Sequence, residues 1–210
     1  MKYRPTALNQ KAFTIIELMI ATAVLSTILI MVTFMMISVG NLYYKGVNQA
    51  RVQDDVRTIS DDVSQHLQLS DSVPLFAVAG DGTSAYCIGN IRYTFMLNEQ
   101  VGSGPGQIPH VLWRDSNPAP NSCSAGVGFL NSATPSADGT ELIAPNSRLT
   151  FFSVSLSSPY TISIGVAYGD NNLLNLSGLN TTCKGSIGDQ FCSTGTLTTT
   201  VVQRITGGGG

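Results

Sequence analysis

Glu17 stands at the head of an uncharged run, for residues 18–44 contain no Asp, Glu, Lys or Arg. Insertion scales put the cost of a charged side chain in mid-membrane at about 2.5–3.5 kcal/mol, so a carboxylate at the edge of such a run needs a partner. The chemistry it offers is charge pairing. Cleavage between Ala12 and Phe13 would create an α-amino group shortly before Glu17. The new cation of one chain would then compensate the carboxylate of a neighbour. Lys2, Arg4 and Lys11 precede this point without any acid among them.

The other reactive side chains lie further on. Cys87, Cys123, Cys183 and Cys192 fall in a region rich in turn residues and form no Cys-x-x-Cys knuckle, while His66 and His110 are isolated from them in sequence. An even count without knuckles favours disulfides over zinc. Of the possible connectivities, Cys87 with Cys123 and Cys183 with Cys192 are favoured because each closes a local loop. Asp170, Asn171 and Asn172 offer oxygen ligands but lack the loop pattern and terminal Glu of a calcium site, and a turn between strands is the simpler reading. No phosphate-binding Gly-rich loop, dinucleotide fingerprint or His-Glu-x-x-His occurs, so neither enzyme activity, a cofactor nor a metal is expected.

The elements that position these groups begin with the apolar run. It exceeds the ~20 residues a helix needs to cross a bilayer and outlasts the ~7–15 apolar residues of a secretory signal. Basic residues before it place the leader in the cytoplasm and the remainder outside, where cysteines oxidise. A net charge of -2 provides no basic surface for a phosphate backbone, which argues against nucleic acid as a primary partner. With only 11% charged residues, the composition fits an exported β-rich domain better than a cytosolic enzyme.

The segment Lys11-Ala12-Phe13-Thr14-Ile15-Ile16-Glu17-Leu18-Met19-Ile20 resembles the prepilin cleavage motif of type IV pilins and type II secretion pseudopilins. The resemblance implies a dedicated prepilin peptidase that cuts on the cytoplasmic face between Ala12 and Phe13, N-methylation of Phe13, and an assembly role for Phe13 and Glu17. Ala12, also small, stands where the family usually has Gly. Ser26 and Phe34 occupy positions at which major pilins of the family often carry helix-breaking Gly and Pro. A helix that does not melt favours a minor subunit.

Val52, Val56, Ile59, Val63 and Leu67 recur at helical spacing, with Asp54, Asp55, Arg57, Asp61 and Asp62 on other faces. This predicts one rod over residues 14–69, about 80 Å long at 1.5 Å per residue, with a bend near Gly40 or Gly46 and a stop before Pro74. The stripe is read as the face under a sheet, and the acidic cluster as a solvated face. Beyond Pro74 the period becomes two. Residues 91–97 and 110–114 read as paired strands, 102–109 as a flexible hairpin loop, 117–145 as an irregular loop, and 148–156, 160–168 and 196–205 as further strands. Tyr160, Ile162, Ile164, Val166 and Tyr168 are expected to face the helix, and Trp113 to pack on the sheet.

The expected fold is α+β: a pilin fold whose long N-terminal helix packs on an antiparallel sheet. Its parts are the leader (1–12), the transmembrane and assembly helix (13–44), an amphipathic continuation (45–72), an extracytoplasmic head (73–206) and a Gly tail (207–210). The order of strands and cysteine loops, with Leu112-Trp113-Arg114 and Val201-Val202-Gln203-Arg204, looks like the W-type minor pilins and J-type minor pseudopilins. That resemblance implies a minor pilin that primes or caps a type IV pilus. Its partners would be other pilins, the prepilin peptidase, an inner-membrane assembly platform and the membrane itself. The alternatives are a minor pseudopilin of type II secretion and, from another class, a membrane-anchored adhesin that keeps its leader. The chain is expected to span the inner membrane once, head in the periplasm, before entering the pilus or pseudopilus.

Overall fold

A computed structural model describes residues 13–117, 122–125, 128–132, 135–136, 138–185 and 188–204. The leader with Ala12, and the Gly tail, lie outside these. Helix α1 (Ile15–Leu69) runs through Gly40 and Gly46 without a break in its helical pattern. The chain divides into two compact units, residues 1–43 and 44–210. In the first, the apolar side chains of α1 are exposed.

In the second unit the apolar stripe of α1 is the centre of the core. Val52, Ile59, Val63 and Leu67 are fully buried and Val56 nearly so. Full burial of such a side chain contributes about 1.5–3 kcal/mol, far more than helix propensity offers a β-branched sequence. The antiparallel β-sheet domain expected beneath the helix consists of two five-stranded sheets that share this core. The first contains β1 (Leu75–Val78), β2 (Ser84–Ile88), β3 (Ile91–Phe95), β6 (Leu112–Ser116) and β7 (Thr140–Glu141), in that order and antiparallel throughout. The second is ordered β12 (Ser193–Val201), β9 (Tyr160–Tyr168), β8 (Ser147–Val154), β4 (Gln100–Val101) and β5 (Gln107–Ile108); its β4–β5 pair alone is parallel. A ribbon of β10 (Leu174–Asn175) and β11 (Thr182–Cys183) stands apart.

The segment 102–109 is therefore more than a free hairpin loop, since β4 and β5 at its ends widen the second sheet. The region 117–145 likewise gives β7 to the first. The hairpin β1–β2 was not anticipated. Its exposed Phe76 alternates with small or half-buried neighbours, which blurs the period-two pattern.

In β9, Tyr160, Ile162, Ile164 and Val166 are buried while Thr161 is exposed and Ser163 half-buried. Aromatic rings close the core between the sheets: Tyr86 stacks on Phe95 at 5.8 Å, and Phe152 meets both edge-on at 5.4 and 5.1 Å. Gly195 lets β12 approach α1 closely, because a Cβ there would fall 2.8 Å from Val52 Cγ1.

Candidate functional site

The N-terminus of α1 is built from two side chains that bond reciprocally. Glu17 Oε2 accepts from both the backbone N–H and the hydroxyl of Thr14, each at 2.9 Å, and the Glu17 N–H donates to Thr14 Oγ1 at 3.3 Å. This is a capping box, in which two of the helix's orphan donors are satisfied. Glu17 thus has a local role that the pairing argument did not foresee. The signal was present as Thr-x-x-Glu at residues 14–17. Phe13, just outside the helix, is 81% exposed. The cap holds the Glu17 carboxylate within the first turn, close to where an α-amino group on Phe13 would lie.

From here the helix presents a mainly apolar surface free of charge as far as Tyr44. The helix is long and apolar enough to cross a membrane, and its side chains from Ile15 to Tyr44 stand exposed on every face. Exposed apolar surface on this scale requires lipid or apolar neighbours around it. The hydroxyls inside the run fold back onto the helix: Thr22 donates to Met19 O, Ser26 to Ala23 O, Thr27 to Val24 O and Thr33 to Leu29 O, at 2.8–3.0 Å. These four hydroxyls are satisfied by their own helix, as a lipid environment demands.

In the head, several charges hold structure together. Asp62 corrects the reading of the acidic cluster as a solvated face. It pairs with Arg114 on β6 and accepts from the Tyr93 hydroxyl at 2.8 Å, and that hydroxyl also lies 2.8 Å from His66 Nδ1. Burial raises the Tyr93 hydroxyl pKa first, with the Asp62 charge adding to it. Asp55 also turns inward, and burial pushes its carboxyl up despite a hydrogen bond from the Ala144 backbone. Asp54 and Asp61 do face solvent. The reason is register: Asp55 and Asp62 are seven residues apart, two helical turns, and so share a face beside the buried stripe.

Arg92 and Asp115, paired across β3 and β6, are both buried and bond in a fork, Nε to Oδ1 at 2.9 Å and Nη2 to Oδ2 at 2.5 Å. Arg148 is 1% exposed and donates to the Asn98 and Gly169 carbonyls and to Asn171 Oδ1. The Asn171 oxygen that the sequence offered to calcium therefore serves a guanidinium. Burial pushes the Glu141 carboxyl up to about 7, against hydrogen bonds from the Leu112, Val111 and Ile143 N–H groups. His110 lies 3.5 Å from Glu141 and packs against Trp113 at 4.2 Å between ring centroids.

The four cysteines form the disulfides Cys87–Cys123 and Cys183–Cys192. The first ties β2 to the loop after β6; the second ties β11 to the start of β12. No group of three His, Cys, Asp or Glu residues is placed to hold a metal ion among the described residues. The polar clusters described in the head tie its elements to one another: Asp62 joins α1 to β3 and β6, and Arg92–Asp115 joins β3 to β6. Among the described residues at the N-terminus, Thr14 and Glu17 are the pair that bond through their side chains.

A capped apolar helix leading into a helix-on-sheet head defines an α+β, pilin-like protein with a membrane-compatible N-terminal arm. Residues 8–33 match the prokaryotic N-terminal methylation motif, so the N-terminus is of the type IV pilin kind. Pilin-like proteins are typically non-enzymatic structural subunits. Neither a curated protein nor a solved structure matches the chain.

Proposed function

We propose that this chain is a minor pilin, matured by cleavage between Ala12 and Phe13 and N-methylated on Phe13, that primes or caps a type IV pilus. The observation that carries the reading is Glu17. It is a capped carboxylate at the head of an uncharged span of residues 18–44, inside the matched motif. Before assembly the span holds the subunit in the inner membrane with its head in the periplasm. During extraction by the assembly platform, Phe13 and Glu17 leave lipid together. The α-amino group of a neighbouring subunit then compensates the carboxylate in an apolar surrounding, where an unpaired charge is costly. The absence of Gly and Pro from residues 13–39 supports a helix that stays intact, as does the return of its hydroxyls to backbone carbonyls.

A minor pseudopilin of type II secretion shares all of this and differs in the assembly it enters. Fractionation of native cells separates the two. A minor pilin is expected in fibres sheared from the cell surface. Confinement of the mature chain to the envelope, with loss of protein export when it is deleted, would assign it to a secretion pseudopilus instead.

A further inference from the structure

Within the second unit, one short turn packs against the residues with which that unit begins. Tyr44 is the last residue of the run and Lys45 the first charge after it. The 3-10 turn Asp189–Phe191 is fastened to both. The Phe191 ring lies 5.9 Å from that of Tyr44, and Lys45 Nζ sits 2.5 Å from Asp189 Oδ2. Asn48 Nδ2 donates to the Gln190 carbonyl at 3.1 Å, and Cys192, next in sequence, is locked to Cys183. The turn is thus tied down at every residue, yet it leaves Phe191 48% exposed beside an exposed Tyr44. Burying this ring inside the head would have been the ordinary outcome for a phenylalanine.

We propose that the Asp189–Phe191 turn, together with Tyr44, seats in the headgroup layer of the membrane that the apolar run crosses, as a lipid-facing foot of the head. The inference rests on the reading of residues 18–44 as a membrane span. The occupant is lipid because Tyr44 ends that run, so the turn fastened to it lies at the depth where the chain leaves hydrocarbon. Aromatic rings favour this layer, their apolar bodies shielded and their edges near water. Lys45 carries the charge that belongs at such a boundary, and its pairing with Asp189 reduces the cost of bringing the turn to the headgroups. The foot keeps Phe191 and Tyr44 in the headgroup layer until extraction, when the two must be released together.

The test places a tryptophan at the foot of the full chain in phosphatidylcholine–phosphatidylglycerol vesicles, using Phe191→Trp in a Trp113→Phe background. Leu156→Trp is the control. It lies in the turn between β8 and β9, beside the Tyr160–Val201 pair and far from the Tyr168–Ser193 pair, which is about 30 Å further along β9. Lipids brominated near the carboxyl end of their acyl chains are expected to quench the foot tryptophan by about twofold or more and to leave the control unchanged. If the Trp113→Phe background does not fold, the same variants with Trp113 kept are read as difference signals against the parent. Carbonate-resistant insertion without quenching at position 191 overturns the foot and leaves the membrane span standing. Release of the chain by carbonate overturns both. Quenching that ignores bromination but rises with protein-to-lipid ratio assigns the turn to a second copy and also overturns the foot.

Discussion

Glu17→Ala is expected to leave the chain matured and membrane-bound while cutting its recovery in sheared filaments by about tenfold or more, the effect of losing roughly 1.4 kcal/mol of assembly energy. The structure makes this substitution ambiguous alone, because Glu17 also caps α1 through Thr14. Loss of a cap costs about 0.5–2 kcal/mol and frays one turn, which by itself could weaken packing. Glu17→Gln separates the two. Its amide oxygen can still accept from the Thr14 N–H, as Gln does in capping boxes, but it carries no charge for a neighbour's α-amino group. If charge pairing drives assembly, the Gln variant fails like the Ala variant. Normal incorporation of the Gln chain would show that the cap is what matters and would sink the intersubunit pair.

The largest stability effect is expected inside the head, at Asp115. Asp115→Asn removes the anion that faces Arg92 through two hydrogen bonds and leaves a buried guanidinium uncompensated. Breaking one partner of a buried pair costs about 3–5 kcal/mol, a large part of the ~5–15 kcal/mol total of an ordinary domain. Urea unfolding of the detergent-solubilised chain should register that loss in its midpoint. The double variant Arg92→Met, Asp115→Leu should recover much of it, since no unpaired charge then remains. A single-site cost below about 1 kcal/mol would mean that the pair behaves as a solvent-exposed one and that β3–β6 does not depend on it.

An element is legible in the sequence when its own residues carry its signal, and hidden when distant partners do. The stripe Val52 to Leu67 was legible because its residues keep helical spacing and are all large and apolar, and the structure buries every one. Strand β9 was equally legible, its alternation being nearly strict over its whole length. Strands β4, β5 and β7 were not, as each is two residues long: β4 and β7 exist through pairing with distant partners such as Arg148 and Trp113, and β5 only through its parallel pairing with β4. The inward turn of Asp55 and Asp62 escaped because charge is read locally as solvation, whereas Arg114 and the Ala144 N–H reach these carboxylates across the fold. At the candidate site the position of Glu17 could be read from its isolation at the head of an uncharged run. Its bond to Thr14 has a local signal too, the Thr-x-x-Glu spacing of residues 14–17. The Phe191 foot had no sequence signal, since residues 44 and 191 meet only when β12 lies beside α1.

Pilin-type maturation is decided by N-terminal mass spectrometry of the chain isolated from its native membrane, with and without the prepilin peptidase. The account predicts a mature peptide that begins at N-methylated Phe13 and disappears when the peptidase is absent. An intact leader starting at Met1 in peptidase-positive cells would contradict it. Glu17 would then be reduced to a helix cap at the edge of a membrane anchor, and a leader-retaining surface protein such as an adhesin would become the better description.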